Sequence, residues 1–73
     1  MKLDYYDIDG VTMYESVVWE DGNTLLLDEC YTTKAEAFKA VKTFKKRYKG
    51  NGELDCYVRL FDFYNGTVQD FNL

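Results

Sequence analysis

The sequence predicts an α+β fold: an antiparallel sheet of about five strands, ordered β-β-β-α-β-β along the chain, with one helix packed on one sheet face. Three observations predict it. Asp9-Gly10, Asp21-Gly22-Asn23, Asn51-Gly52 and Asn65-Gly66 divide the chain into short segments, and Asp-Gly and Asn-Gly suit the φ > 0 positions of tight turns. Segments 3–8, 11–19, 24–31, 54–64 and 67–73 are rich in β-branched, aromatic and aliphatic residues and read as strands. The segment between the third and fourth of these has helical periodicity instead.

The helix is signalled at both ends. Thr33-Lys34-Ala35-Glu36 is a capping box, in which the Thr33 hydroxyl can accept from the Glu36 amide. Ala37, Val41, Phe44 and Tyr48 follow at helical spacing, with Phe38 and Ala40 on the flanks. Gly50 is the natural stop.

The 73 residues make a single domain, 1–73, with no linker, repeat or low-complexity stretch. A core of this size supplies about 3–5 kcal/mol of net stability. No apolar run approaches the roughly 18 residues of a membrane span, and the first residues lack the apolar region of a signal peptide. The expected setting is therefore cytoplasmic, with no membrane partner. Cys30 and Cys56 are too few for a zinc site or a disulfide framework and read as small buried residues.

Two-residue hairpin loops allow residues to be paired across strands. The Asp9-Gly10 turn sets Tyr6 opposite Met13 and Asp4 opposite Glu15. The next turn sets Trp19 opposite Thr24, Val17 opposite Leu26, Glu15 opposite Asp28 and Met13 opposite Cys30. A row of three carboxylates results: Asp4, Glu15 and Asp28. Like charges directly opposite destabilise a sheet, and burying them unpaired is prohibitive. That face is therefore expected to meet solvent, together with Tyr6, Met13, Val17, Trp19 and Leu26. Leu3, Tyr5, Tyr14, Val18, Leu25 and Leu27 are expected to meet the helix. A bulge in the second strand would reverse part of this assignment. In the last hairpin, Asn65-Gly66 sets Leu60 opposite Phe71 and Val58 opposite Leu73, with Tyr57, Arg59, Phe61, Phe63 and Val68 on the other side.

An exposed face this aromatic marks an interaction site. Asp4, Tyr6, Met13, Glu15, Trp19 and Asp28 are the candidate partner-binding residues. The plainer alternative is that a homodimer partner or the chain's own ends cover the face.

Charge is unevenly placed. Residues 34–49 hold seven cations against one acid, and the rest holds Lys2 and Arg59 against twelve acids, for a net −4. Lys39, Lys42, Lys46 and Lys49 share one flank of the helix and are the alternative, nucleic-acid-binding candidates. Against that reading stands an acidic whole that repels polyanions. The ordinary account of these lysines is a solvated helix face whose last cations offset the macrodipole.

Catalysis is not expected. The chain has no His, hence no imidazole base or metal ligand, and Ser16 is its only serine. No catalytic set, metal site or cofactor motif is predicted.

In general character the chain is short, acidic, rich in Tyr and Asn and free of Pro, with acids from Asp4 to Glu29 and then Glu53, Asp55, Asp62 and Asp70. In this it resembles small phage-type inhibitors of host defence, the anti-CRISPR and DNA-mimic class. That class shares no fold or motif, so the resemblance carries over no functional residue. It implies a non-catalytic inhibitor whose acid/aromatic face occupies a basic nucleic-acid-binding site on another protein.

Overall fold

The computed structural model describes residues 12–73 and the backbone of Lys2–Leu3. The elements are β1 (Lys2–Leu3), β2 (Thr12–Glu20), β3 (Thr24–Tyr31), α1 (Lys34–Arg47), β4 (Leu54–Asp62) and β5 (Thr67–Asn72). The strands form one antiparallel sheet in the order β1-β3-β2-β4-β5. The α+β class and the element order follow expectation, but the sheet has four strands of full length rather than five, with the two-residue β1 at its edge.

β1 pairs with β3, placing Leu3 opposite Cys30. The sequence predicts β2 as its neighbour. Glu15 instead has Cys30 on one side and Arg59 on the other, which leaves no edge where Asp4 could face it. Asp4, Tyr6 and the Asp9-Gly10 turn lie outside the described residues.

Loop length accounts for the other register differences. The β2–β3 turn uses Asp21 at φ +53° and Gly22 at φ +74°, the left-handed region that Asp-Gly favours. The Asn23 amide donates to the Glu20 carbonyl at 3.1 Å, and Glu20 pairs with Thr24, so the loop has three residues (21–23). A bulge follows: Val18 faces Leu27 while Trp19 faces Leu25, leaving Leu26 as the extra residue on β3. Loop and bulge together shift the register by two, so Glu15 faces Cys30 and Val17 faces Asp28. In the last hairpin, Asp62 pairs with Thr67 around a four-residue loop (63–66), so Val58 faces Phe71 and Leu60 faces Gln69. Asp62 shapes that loop. Its carboxylate accepts from the Tyr64 and Asn65 amides, both at 3.1 Å, and from Asn65 Nδ2 at 2.8 Å.

α1 begins as the capping box predicts. Thr33 is the N-cap and its hydroxyl accepts from the Glu36 amide at 3.2 Å, while Glu36 Oε1 accepts from the Thr33 hydroxyl at 3.0 Å. The helix ends earlier than expected. Tyr48 is the extended C-cap, its amide donating to the Phe44 carbonyl at 3.0 Å. The Tyr48 hydroxyl donates to the Glu20 carboxylate and accepts from the Gly52 amide at 3.0 Å. A Cβ on Gly50 would run into the Tyr48 ring, and one on Gly52 into the Glu20 side chain. These glycines therefore allow a close approach that ties the helix end to the sheet.

The core lies between α1 and the sheet. Val18, Ala37, Val41, Cys56 and Val58 are buried there, with Tyr14, Leu26, Leu27, Tyr31, Phe38, Phe44 and Leu54 packed around them. Tyr14, Val18 and Leu27 meet the helix as expected. Leu26 joins them because of the bulge, and Leu25 is exposed. Ser16, fully buried, donates to the Ala37 carbonyl at 2.7 Å and pins the first helical turns to β2. Cys30 and Cys56 are both buried, as expected. Cys30 is opposite Glu15 and Cys56 opposite Val18, so the two face opposite ways with β2 between them and no bridge can join them.

Candidate protein-binding face

The sheet face away from α1 is assembled by strand alternation, since residues opposite one another share a face. Cross-strand rows define it. Met13 faces Phe61, which faces Val68; Glu15 faces Arg59, which faces Asp70; Val17 faces Tyr57, which faces Asn72; Trp19 faces Asp55. On the other side of β2, Asp28 is opposite Val17 and therefore diagonal to Glu15.

The expectation that all this face meets solvent is overturned at its centre. Met13 is 1 % exposed, Val17 4 % and Glu15 7 %. Met13 and Glu15 therefore underlie the face rather than form its contact surface. Asp28 is exposed and Trp19 half-buried. The exposed apolar groups lie instead toward the ends of the face: Leu25 opposite Trp19, and Phe63, Tyr64 and Val68 at the β4–β5 end. Phe63 stacks on Phe61 with centroids 6.1 Å apart and planes 10° from parallel.

A charged row crosses the middle. Arg59 clasps Asp70 side-on through two parallel bonds, Nε to Oδ1 at 2.7 Å and Nη2 to Oδ2 at 3.1 Å. Its guanidinium also lies 5.3 Å from the Tyr57 ring centroid. The pair holds the Asp70 carboxyl below its ordinary range and raises Arg59 further above its own. Burial, a hydrogen bond with Asp28 and the Asp28 charge push Glu15 up to about 7. Arg59 lowers Glu15 but only partly offsets what acts on it, and the Asp70 charge adds to the upward push. Beside this row the Trp19 indole N–H donates to the Tyr57 hydroxyl at 3.2 Å. Both aromatic rings are thus held with their polar tips paired.

Chemically the face offers fixed aromatic surface and acids in excess. Among the described residues, Arg59 is its one cation, and Asp28, Asp55 and Asp70 are exposed. No three His, Cys, Asp or Glu side chains converge as metal ligands among the described residues. Asp55 and Asp70 join Tyr57 and Phe61, which the sequence already sets on the side of the last hairpin away from Leu60 and Val58. The parity of the last hairpin places them on this face, but only the β2–β4 pairing puts them beside Trp19 and Glu15.

The basic candidates divide. Lys39, Lys42 and Lys46 line a shallow depression on α1 together with Ala35, Phe38 and Thr43. Lys49 is exposed but lies past the helix end, outside that depression.

The class defined by this fold and face is a small α+β domain, one helix on an antiparallel sheet, whose opposite sheet face is acidic and aromatic. No family model, curated protein or solved structure matches the chain. No helix among the described residues is long and apolar enough to cross a membrane.

Proposed function

We propose that the chain is a non-catalytic protein-interaction module that docks its acid/aromatic sheet face on a basic surface of another protein. The partner surface best matched by that chemistry is a nucleic-acid-binding site, which the module would occupy as an inhibitor. One observation carries the reading: exposed Asp28 and Asp55 share a face with Trp19, Tyr57, Phe61 and Val68, and its one cation among the described residues, Arg59, is offset by Asp70. Opposite charge steers association, and aromatic groups supply contact area once the surfaces meet. Asp28 replaces Glu15 as the leading acid because Glu15 is buried.

The test is capture with the tagged chain from a bacterial lysate, with and without nuclease. The expected result is a protein partner that survives nuclease. Reversing exposed charges, Asp28→Lys with Asp55→Lys, is expected to slow association with that partner about tenfold at low salt. An unchanged association rate with an intact fold would sink the reading.

A second reading is favoured by the convergence of Lys39, Lys42 and Lys46 on one depression beside Phe38. In it the helix flank binds nucleic-acid phosphates. It requires affinity that falls steeply with salt, because bound cations release counterions. Absence of binding at low salt would eliminate it.

A further inference from the structure

Two Asn-Gly steps occur in the chain, Asn51-Gly52 and Asn65-Gly66, and both asparagines are exposed. They are alike in chemistry and opposite in surroundings. An asparagine side chain can be attacked by the backbone nitrogen of the residue that follows it. Glycine hinders that approach least, because it has no Cβ. What decides between the two steps is how firmly each glycine nitrogen is held.

Gly52 is held. Its amide donates to the Tyr48 hydroxyl at 3.0 Å, and that hydroxyl is itself anchored on the Glu20 carboxylate. A Cβ on Gly52 would run into the Glu20 side chain, so the peptide has little room to turn. The next residue is fastened as well. The Glu53 amide donates to Asp21 Oδ1 at 2.9 Å, and the Glu53 carbonyl accepts from the Asp21 amide at 2.8 Å.

Gly66 is not held. Nothing among the described residues accepts from its amide. It sits at φ +66°, and nothing lies within 4 Å of where a Cβ would stand. Asn65 is tied from its other side, by its own amide and its Nδ2, which donate to the Asp62 carboxylate at 3.1 Å and 2.8 Å. Both bonds are exposed to water, and neither restrains the peptide that joins Asn65 to Gly66.

We infer that Asn65 is a site of spontaneous deamidation, at which the Gly66 nitrogen closes on the side chain and water completes the conversion to aspartate or isoaspartate, while Tyr48 keeps Asn51 from the same reaction. The Gly66 nitrogen gives its proton to water and bonds to Asn65 Cγ. The Cγ–Nδ2 bond breaks, and Nδ2 takes up a proton and leaves as ammonia. Water then opens the five-membered imide. Opening at the former side-chain carbonyl gives aspartate. Opening at the main-chain carbonyl gives isoaspartate, in which the backbone runs through the side-chain carbon. Water is the one co-reactant, and nothing is oxidised or reduced.

The product changes the tip of the β4–β5 hairpin. A donor to Asp62 becomes a second carboxylate beside it, which adds a negative charge to a chain already at −4. Like charges that close repel, so the clasp that shapes the loop beside exposed Phe63 and Tyr64 is lost. The site stands whatever partner the sheet face meets.

The test is to incubate the full chain in mildly alkaline buffer and follow both steps by peptide mapping with mass spectrometry. Asn65 is expected to convert at least about tenfold faster than Asn51, a barrier difference of about 1.4 kcal/mol. In denaturing urea the two rates are expected to converge, because the restraint on Gly52 is gone. Tyr48→Phe removes the acceptor for the Gly52 amide and is expected to speed Asn51 toward the Asn65 rate. Slow amide exchange at Val18 and Val58 would show that this variant is folded. Equal rates at the two steps in the folded parent, or an Asn65 that reacts only in urea, would overturn the inference. A folded Tyr48→Phe variant with Asn51 still silent would overturn the role given to Tyr48.

Discussion

Glu15 lies mid-strand with neighbours on both sides, and that placement sets how its carboxyl ionises. Burial and Asp28 favour the protonated form, and Arg59, held by Asp70, only partly opposes them. The carboxyl is raised from 4.5 to about 7. Between those values the folded chain holds a proton that the unfolded chain has released. The stabilisation that Glu15 contributes is therefore full below the lower value and is lost as pH rises through the upper one. Glu15→Gln keeps the shape and cannot ionise. Urea denaturation is expected to show the parent losing up to about 3 kcal/mol between about pH 5 and pH 8, while the variant stays level. Equal slopes would remove Glu15 as the source. The sequence shows that Glu15 and Asp28 belong to one acidic set. It cannot show that one is buried and the other exposed, because an acid in a strand reads as solvent-facing until its neighbours on both edges are known.

At the scale of elements, legibility followed how local the cause was. The capping box was legible because it depends on four consecutive residues, and Thr33→Ala is expected to lower stability by about 1 kcal/mol in thermal denaturation. A change within a few tenths would mean that the Glu36 side chain caps unaided. The helix end was less legible. Tyr48 continues the apolar spacing, yet its ring is drawn away by Glu20 and Gly52, contacts from residues distant in sequence. Register was least legible. Leu25-Leu26-Leu27 has no alternation, so the sequence carries no mark of which leucine is the extra one. Even so, beyond the bulge and in the last hairpin each shift was of two residues. Tyr14, Val18, Leu27, Leu60 and Phe71 therefore kept the faces that the shorter loops implied.

On the scale of the whole molecule, charge is divided between two surfaces. The helix carries Lys34, Lys39, Lys42, Lys45, Lys46 and Arg47, all exposed, while the opposite sheet face is acidic. A basic partner is drawn to one side and repelled by the other, so the molecule is oriented before contact. The association rate measured with Asp28→Lys and Asp55→Lys is expected to respond to salt less steeply than that of the parent. If both slopes match, steering comes from elsewhere on the surface. Composition revealed this separation at once, since it depends only on where one helix begins and ends.

The central pair of the sheet, β2 with β4, governs how the chain reaches this form. Its partners range from Glu20 with Leu54 to Thr12 with Asp62. The β2–β3 and β4–β5 hairpins close locally, but joining them requires the ends of a long intervening segment to meet before any of that pairing is rewarded. Folding should therefore be limited by a late, entropically costly closure rather than by helix or turn formation. Refolding followed by stopped-flow fluorescence is expected to slow with Val18→Ala, at the meeting point of both halves, and to be unchanged with Val68→Ala at the outer edge. Slowing by both alike would place the closure elsewhere. During synthesis, the same geometry leaves the first hairpin waiting, with one edge of β2 open, until β4 has emerged to cover it.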